Sequence, residues 1–271
     1  MISEVLEKKL EKLKKSLEKM ESVLIAFSGG CDSSFLAKVA YDVLGNHAIA
    51  VTANSELYAD SEVKDSKKIA SKIGIKHEII TSKELEISGF RDNPSYRCYF
   101  CKKELFSELL GIAKKKGYRY VLDGSNFDDG DDYRPGMKAG KELNIRSPLK
   151  EAKLTKSEIR QLSRKFGLIT ADKPAMACLA SRFPYGTKIK ERDLQRIEKA
   201  EEFLRDLGFT QLRVRHHGDI ARIEILPQDI KSILGNDLRE RILEKLKLLG
   251  YKYVTIDLEG YRTGSMNEVL Q

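Results

Sequence analysis

A short apolar segment at residues 23–27 runs directly into Ser28-Gly29-Gly30, and this junction restricts the fold more than any other part of the sequence. After it, apolar residues recur at steps of three and four from Phe35 to Val43, which is the period of a helix. The pattern predicts a buried strand, a glycine turn and a helix N-terminus. Glycine lets a ligand approach the backbone, and the first amides of a helix carry the positive end of its dipole. We therefore expect a polyanion such as pyrophosphate to bind here.

The residues around the turn supply further groups for that polyanion. Serine hydroxyls can donate hydrogen bonds to phosphate oxygens, and a carboxylate can hold Mg²⁺. The whole pattern, Ser-Gly-Gly-x-Asp-Ser-Ser after a strand, resembles the PP-loop of ATP pyrophosphatases, which split ATP into AMP and pyrophosphate. The Walker pattern G-x-x-x-x-G-K-[ST] is absent from the sequence, which disfavours ordinary transfer of the γ-phosphate. The predicted ligands of ATP and Mg²⁺ are Ser28, Gly29, Gly30, Asp32, Ser33 and Ser34.

Strand-like and helical segments alternate through the first part of the chain. Such alternation predicts an α/β fold, with a parallel sheet covered by helices on both faces and ligands at the carboxyl ends of the strands. The resemblance of the loop implies the fold of the PP-loop ATP pyrophosphatases (adenine nucleotide alpha hydrolase-like). A loop rich in proline and glycine at 167–186 separates this region from a helix, a hairpin and further helical and strand-like segments. We predict two domains, residues 1–185 and a small α+β domain at 186–271.

The composition is that of a globular chain, since 41% of the 271 residues are hydrophobic and 33% are charged. No apolar run approaches the ~20 residues that a membrane helix needs, and the N-terminus lacks the apolar core of a secretory signal. We therefore expect a cytoplasmic protein with no membrane partner. The net charge of +8 suits anionic partners. Acidic and basic residues are interspersed, however, and no aromatic–basic motif for RNA is present, so nucleic acid is not an expected partner.

Three of the four cysteines lie in segments suited to thiol chemistry. Cys98 and Cys101 form a C-x-x-C pattern at the start of a predicted helix, where the dipole and nearby cations favour the thiolate. Cys178 lies in a loop next to basic residues. The sequence leaves three alternatives for these thiols. They are a redox pair, part of a zinc site completed by His216 or His217, and a [4Fe–4S] cluster with one open iron. Cys31, inside the glycine turn, is predicted to be a small buried filler.

Arg213 and Arg215 alternate with apolar residues on a predicted strand. The period of two places both guanidinium groups on one face, roughly 7 Å apart, where they can bind a phosphate through forked hydrogen bonds. Arg222 and Glu224 share a face of the returning strand, so ion pairing across the hairpin is the alternative. The two histidines are predicted to lie in the turn between these strands.

An acidic loop at 123–136 follows the fourth predicted strand. A loop of this composition is often only solvated, but it lies at the carboxyl end of a strand beside the predicted phosphate site. Its carboxylates are therefore candidates for binding Mg²⁺ or ribose hydroxyls. The two that we single out are Asp129 and Asp132.

Together these motifs resemble the LarE family, the ATP-dependent sulfur transferases that help to build the nickel-pincer nucleotide cofactor. The resemblance covers nearly the whole chain. Besides the PP-loop, the motifs are Asn93-Pro94-x-x-Arg97-Cys98-x-x-Cys101-Lys102, Asp123-Gly124-Ser125-Asn126, Pro174-Ala175-x-x-Cys178-Leu179-Ala180-Ser181-Arg182 and Arg213-Val214-Arg215-His216-His217-Gly218. The last two of these motifs are specific to the family.

The resemblance implies that ATP adenylates a carboxylate of a pyridinium-3,5-biscarboxylate mononucleotide and that a sulfur nucleophile then displaces AMP. It implies catalytic roles for Asp32, Lys102 and Cys178, with Lys102 neutralising phosphate charge. The two strand arginines would bind the phosphate of the substrate, with two polar residues nearby. The remaining residues that the resemblance implicates in nucleotide or substrate binding are Gly124, Arg182, Glu201 and Glu224.

The C-x-x-C motif resembles the branch of the family that carries an iron–sulfur cluster. There Cys98, Cys101 and Cys178 would hold three irons of a [4Fe–4S] cluster, and the fourth iron would carry a transferable sulfide. Members without the motif give up the sulfur of the cysteine corresponding to Cys178, which becomes dehydroalanine. Relatives commonly carry an aliphatic residue where this chain has Cys31. The resemblance also implies a homo-oligomer, and an amphipathic segment at 2–20 is compatible either with core packing or with such a contact.

Two other functions are compatible with the sequence. A PP-loop tRNA thiolase shares the ATP chemistry and a cluster on three cysteines, but it needs an RNA-binding surface. A non-catalytic nucleotide-binding module with a structural zinc would release no pyrophosphate. An amidotransferase-type synthetase is a weaker alternative, because neither a glutaminase domain nor an ammonia source is evident.

Overall fold

The computed structural model describes residues 3–130, 135–174, 177–262 and 264–270. It divides into two compact units. The first unit comprises residues 1–87 and 96–176, and the second comprises residues 88–95 and 177–271. The predicted domain boundary near residue 185 stays a prediction.

The first unit is built from alternating helices and strands, as the sequence predicts. Its strands form a four-stranded sheet in the order β3-β2-β1-β4, and every neighbouring pair is parallel. In chain order the elements are α1 (Glu4–Met20), β1 (Val23–Ala26), α2 (Cys31–Leu44), β2 (Ala48–Asn54), α3 (Asp60–Ile73), β3 (Lys76–Thr81), α4 (Arg97–Lys116), β4 (Tyr120–Leu122), α5 (Pro135–Glu142), α6 (Pro148–Glu151) and α7 (Lys156–Lys165).

Both faces of this sheet are covered. Successive side chains of a strand point to opposite faces, and in β1 the side chains of Val23 and Ile25 belong to one apolar cluster while Leu24 belongs to another. The first cluster includes residues of α1, α2, α3 and α7, and the second includes residues of α4. The predicted α/β fold, a parallel sheet with helices on both faces, is confirmed.

The N-terminal helix α1 owes its position to its amphipathic pattern. Ser3 caps it by accepting a hydrogen bond from the amide of Leu6. The apolar stripe of the helix lies in the core of the first unit. Of the two uses that the sequence allows for this segment, core packing is the one that the structure shows. The buried side chains of the stripe are Leu6, Leu10, Leu13, Leu17 and Met20.

The second unit is a small α+β arrangement. Its sheet has the order β5-β6-β7, with β5 antiparallel to β6 and β6 parallel to β7. Leu212 and Val214 of β5 point into its apolar core. The elements are α8 (Glu191–Asp206), β5 (Leu212–His217), β6 (Ile220–Ile225), α9 (Ile230–Ile233), α10 (Asn236–Leu248) and β7 (Tyr253–Ile256).

Two local expectations need correction. His216 and His217 do not form the hairpin turn but end β5, where they pair with Ala221 and Ile220 of β6. The sequence predicts that the helix starts near Cys101, but α4 begins at Arg97, so both cysteines of the C-x-x-C motif lie within its first turns.

Among the described residues, no helix combines the length and the apolar character needed to cross a bilayer.

Candidate functional site

The loop between β1 and α2 has the conformation that its glycines predict. Gly29 adopts φ +67°, and a Cβ atom there would lie 3.1 Å from the Cα of Ser66 on α3. Only glycine adopts this backbone region without strain and fits so close to a neighbouring helix. The loop is further tied by a contact of 3.1 Å between the hydroxyls of Ser28 and Ser33, and the Gly30 amide donates to Ser28 Oγ at 3.3 Å.

Asp32, in the first turn of α2, is the predicted Mg²⁺ ligand. Its Oδ2 atom accepts hydrogen bonds from Lys156 Nζ at 2.7 Å and from Asn126 Nδ2 at 3.4 Å. Within the described part of the chain, its Oδ1 atom and Ser34 Oγ are buried and have no hydrogen-bond partner. Two oxygens without partners at the end of a phosphate loop suit a site that a cation and a polyanion complete.

Lys156 is a site residue that sequence reasoning missed. It is the first residue of α7 and lies 124 positions from its partner in the chain. Its own neighbours in the sequence show an ordinary helix start, with Thr155 and Glu158 forming a capping box. Only the fold brings this ammonium group to Asp32.

Gly124 contributes to the site by allowing two elements of the backbone to pack closely. A Cβ atom at this position would lie 3.1 Å from the Ser33 amide nitrogen and 3.2 Å from its Cα, so the end of β4 approaches the start of α2 closely because this residue is a glycine. In the adjoining acidic loop, the carboxylate of Asp129 accepts a hydrogen bond from the Asn126 amide at 2.9 Å and orders the loop. The second candidate in that loop, Asp132, lies outside the described residues.

Cys98 and Cys101 lie one turn apart on α4, and both are partly buried. Residues three positions apart share a face of a helix, so the two sulfurs can bind the same group. The ammonium of Lys102 lies 5.2 Å from the ring centre of Phe106 on the same helix. Helix α5 packs against this segment at Gly136, whose added Cβ would lie 2.9 Å from Lys102 Cγ.

In the second unit, Cys178 immediately precedes a turn of 3₁₀ helix (Leu179–Arg182) and is partly buried. Arg182 is fully buried and forms an ion pair with Glu201, with 2.8 Å between Nε and Oε1. Burial disfavours the charge on Glu201, but Arg182 outweighs that effect and holds the pKa of the Glu201 carboxyl below its ordinary value.

Arg213 and Arg215 lie on one face of β5, as predicted, but both are buried. Arg215 donates to both carboxylate oxygens of Glu224 at 2.8 Å, and also to the Ser181 carbonyl and to Ser265 Oγ. The guanidinium of Arg213 lies 5.2 Å from the ring centre of Tyr261. The ion pairing that the sequence allowed is therefore present at Arg215, while phosphate binding by the pair stays a prediction.

Arg213 lies among other buried charged groups. The buried arginines of this unit are Arg182, Arg213 and Arg215, and its buried carboxylates are Asp193, Glu201 and Glu224. Burial, followed by the positive charge of Arg182, lowers the pKa of the Arg213 guanidinium from its ordinary value. A further negative charge next to Arg213 would therefore be stabilised, which is the electrostatic property of an anion site.

The two histidines of β5 differ in their surroundings. His216 is buried, with Nδ1 3.3 Å from the Tyr251 hydroxyl and Nε2 3.9 Å from Asp193. Burial lowers the pKa of both imidazoles, so each favours the neutral form. Across the described residues, no group of three or more His, Cys, Asp or Glu side chains is arranged to hold a metal ion.

A parallel sheet with a Ser-Gly-Gly-x-Asp-Ser-Ser loop between its first strand and the following helix defines the class of this protein as the PP-loop ATP pyrophosphatase fold. The comparison with protein families agrees, because residues 2–92 match the NAD synthase family.

Comparison with known proteins identifies the family within that class. The chain is 40% identical over 256 residues to pyridinium-3,5-bisthiocarboxylic acid mononucleotide synthase of Lactiplantibacillus plantarum, a match that spans 94% of this chain and 92% of that protein. It is 46% identical over 266 residues to an uncharacterised protein of Synechocystis, spanning 98% of this chain and 99% of the other. The tRNA-specific 2-thiouridylase MnmA of Rickettsia peacockii is 29% identical over 58% of this chain and 53% of its own length. The protein belongs to the LarE family, that of the Lactiplantibacillus synthase.

Proposed function

We propose that the protein is an ATP-dependent sulfur transferase that converts a carboxylate of pyridinium-3,5-biscarboxylic acid mononucleotide into a thiocarboxylate, for nickel-pincer nucleotide synthesis. The observation that carries this proposal is the match to the Lactiplantibacillus synthase over nearly the whole of both chains. A match of that extent spans the segments in which this chain carries the PP-loop, the C-x-x-C motif, Cys178 and the arginine pair.

The first step activates a carboxylate, which is a poor electrophile. A carboxylate oxygen of the substrate attacks the α-phosphorus of ATP, the bond from that phosphorus to the bridging oxygen breaks, and pyrophosphate leaves with the electron pair. In this proposal the leaving pyrophosphate is bound by the hydroxyls of Ser28 and Ser33, which lie 3.1 Å apart, and by the first amides of α2. Asp32 suits Mg²⁺, because one of its carboxylate oxygens is buried and has no hydrogen-bond partner among the residues that the structure describes.

Lys156 also contributes to the adenylation step, and in the ligand-free protein it pairs with Asp32. Its ammonium neutralises Asp32 when no metal is bound, at a distance of 2.7 Å. If Asp32 held Mg²⁺, the ammonium would be free to neutralise the developing charge on pyrophosphate at the phosphate loop. Lys102 supplies a second cation for phosphate charge, as the family resemblance implies.

Arg213 and Arg215 bind the phosphate of the mononucleotide in this proposal. Burial, followed by the positive charge of Arg182, lowers the pKa of the Arg213 guanidinium, so an added anion would stabilise its charged form, and this supports that role. Arg215 donates hydrogen bonds to the Glu224 carboxylate and to the Ser181 carbonyl, and these contacts hold its guanidinium in one orientation. The contact from its Nη2 to the Ser265 hydroxyl, at 2.8 Å, is the one that a phosphate oxygen can replace.

Cys178 supplies or relays the sulfur. When it is the donor, its Sγ attacks the carbonyl carbon of the adenylate and AMP leaves with the electron pair of the broken C–O bond. Loss of the Cα proton of Cys178 and cleavage of its Cβ–Sγ bond then leave the sulfur on the substrate as a thiocarboxylate and convert Cys178 to dehydroalanine. That route allows one turnover per chain.

The cysteines also suit a [4Fe–4S] cluster. Cys98 and Cys101 present two thiol ligands from one face of α4, with the i, i+3 spacing that cluster-binding cysteines use. We assign them, with Cys178, as ligands of three irons. When bound, such a cluster supplies a transferable sulfide on the fourth iron, so that Cys178 is kept and turnover becomes multiple.

The test is an iron, sulfide and zinc analysis of anaerobically reconstituted protein, combined with mass spectrometry of the reaction products. We expect about four irons and at least four sulfides per chain, lost in Cys178→Ala and kept in Cys31→Ala. Cys31 is the matched control because it is also a thiol but lies buried in the first unit.

Each other outcome corrects a defined part of the proposal. A thiocarboxylate product without iron, together with dehydroalanine at position 178, would establish the sacrificial route. Stoichiometric zinc and no pyrophosphate would favour a non-catalytic module. Salt-sensitive binding of tRNA would favour a tRNA thiolase, the activity named for the partial match. We also propose a cytoplasmic location and a homo-oligomeric state, which the resemblance implies.

A further inference from the structure

Arg182 is held on one side by Glu201. Its Nε and Nη2 atoms donate to the two carboxylate oxygens at 2.8 and 2.9 Å, and neither side chain has any exposed surface. Paired, parallel hydrogen bonds of this kind fix the plane of a guanidinium as well as its position. Glu201 therefore determines where the remaining nitrogen of Arg182 points.

Glu201 is itself anchored within the second unit. It lies on α8, accepts the amide of Val214 on β5 at 3.0 Å, and accepts Arg205 Nη2 at 3.2 Å. A carboxylate with this many donors and no contact with water has little freedom to move. The ion pair is thus attached to the helix and the strand that form the core of the unit.

The other side of Arg182 faces the Cys178 segment. Its Nη1 donates to the Ala177 carbonyl at 2.7 Å, to the Cys178 carbonyl at 3.0 Å and to Ser181 Oγ at 2.9 Å. The carbonyls on both sides of the Cys178 Cα are therefore bound to one nitrogen. Farther along the segment, the Ser181 carbonyl accepts a hydrogen bond from Arg215 at 2.7 Å.

We propose that Arg182 is the positioning residue for Cys178, and that it fixes the backbone from which the reacting thiol projects instead of binding a nucleotide. All three of its nitrogens are engaged by protein groups, and the side chain is excluded from solvent. The inference rests on the proposed function only in that it takes Cys178 as the reacting thiol. A sulfur that attacks an adenylate must start from a fixed position. The guanidinium fixes that position by linking the Cys178 segment to the core of the unit.

Arg182→Lys separates positioning from charge compensation. A lysine keeps the positive charge that Glu201 requires, so the buried carboxylate stays paired. Its single nitrogen cannot hold both carboxylate oxygens and both loop carbonyls in the fixed plane of a guanidinium. Arg205→Lys is the matched control, because it alters another donor to Glu201. If Arg182→Lys does not fold, Arg182→Gln combined with Glu201→Gln removes both buried charges together.

The first readout is hydrogen exchange, which needs no substrate. The Ser181 and Phe183 amides donate within the segment, to the Cys178 and Ala180 carbonyls. We expect their exchange to accelerate by about tenfold or more in Arg182→Lys, with β5 and β6 amides unchanged and the control like the parent. The second readout is kinetic: kcat falls by about tenfold, while KM for ATP stays within about twofold.

The results separate the two claims. Unchanged exchange in Arg182→Lys would overturn the positioning role, and so would a normal kcat. A large rise in KM for ATP with normal exchange would restore Arg182 as a nucleotide ligand. If the parent protein makes no thiocarboxylate while the exchange result holds, the proposed function is wrong and the anchoring of the segment stands.

Discussion

Gly29→Ala tests whether the phosphate loop is held against α3. Gly29 has φ +67°, and an L-residue in the left-handed region costs about 1–2 kcal/mol. The new methyl group would also lie 3.1 Å from Ser66 Cα and 3.3 Å from its Cβ. These atoms belong to a buried helix residue, and forcing extra volume into such a contact costs about 1–3 kcal/mol. We expect the two effects together to lower the free energy of unfolding by about 2–5 kcal/mol.

The control for Gly29→Ala is Gly117→Ala, which shares the backbone penalty without the contact. Gly117 has φ +79° and ψ +19° at the end of α4, and an added Cβ there meets no atom within 4 Å. Urea denaturation of both variants with the parent would separate the two costs, provided that the dependence on urea is unchanged. We also expect calorimetry to show weaker ATP binding in Gly29→Ala alone. Equal stability of the two variants, within about 0.5 kcal/mol, would refute the reasoning.

Two further predictions concern the same unit. Burial, with a smaller effect from Lys67, lowers the pKa of His77 in the folded state. The unfolded chain, in which the histidine has a pKa of about 6.5, therefore binds a proton more readily, and the folded state loses stability as the pH falls below that value. His77→Gln should therefore lose less stability than the parent between pH 7.5 and 5.5, roughly, in denaturation experiments; equal losses would contradict this. Lys156→Met should bind Mn²⁺ at Asp32 about fivefold more tightly without nucleotide, because a competing ion pair worth about 1 kcal/mol is removed. Electron paramagnetic resonance measures this, and an unchanged affinity would show that Lys156 does not compete for the carboxylate.

The parts of the fold that depend on local pattern were predictable. The sequence predicts a helix from Asp60 to Ile73 and a strand from Lys76 to Thr81, and α3 and β3 have these bounds. The helical spacing ends at Gly74, which adopts the left-handed conformation of a helix C-cap. Helix α5 was not predicted, since its eight residues begin with a proline and include two glycines, a composition typical of a loop. The histidines at the end of β5 were placed in a turn because the sequence does not show how far pairing with β6 extends.

The candidate site was likewise predictable only where local sequence pattern determines it. Period two placed Arg213 and Arg215 on one face, but their burial depends on Tyr261 and Ser265, which are distant in the sequence. The family resemblance implies that Arg182 binds a nucleotide or the substrate. Its hydrogen bonds to Glu201 and to the carbonyls around Cys178 support the positioning role proposed above. The type of a charged residue thus predicts that it needs a partner. Whether that partner is a substrate or the protein itself depends on contacts between distant segments.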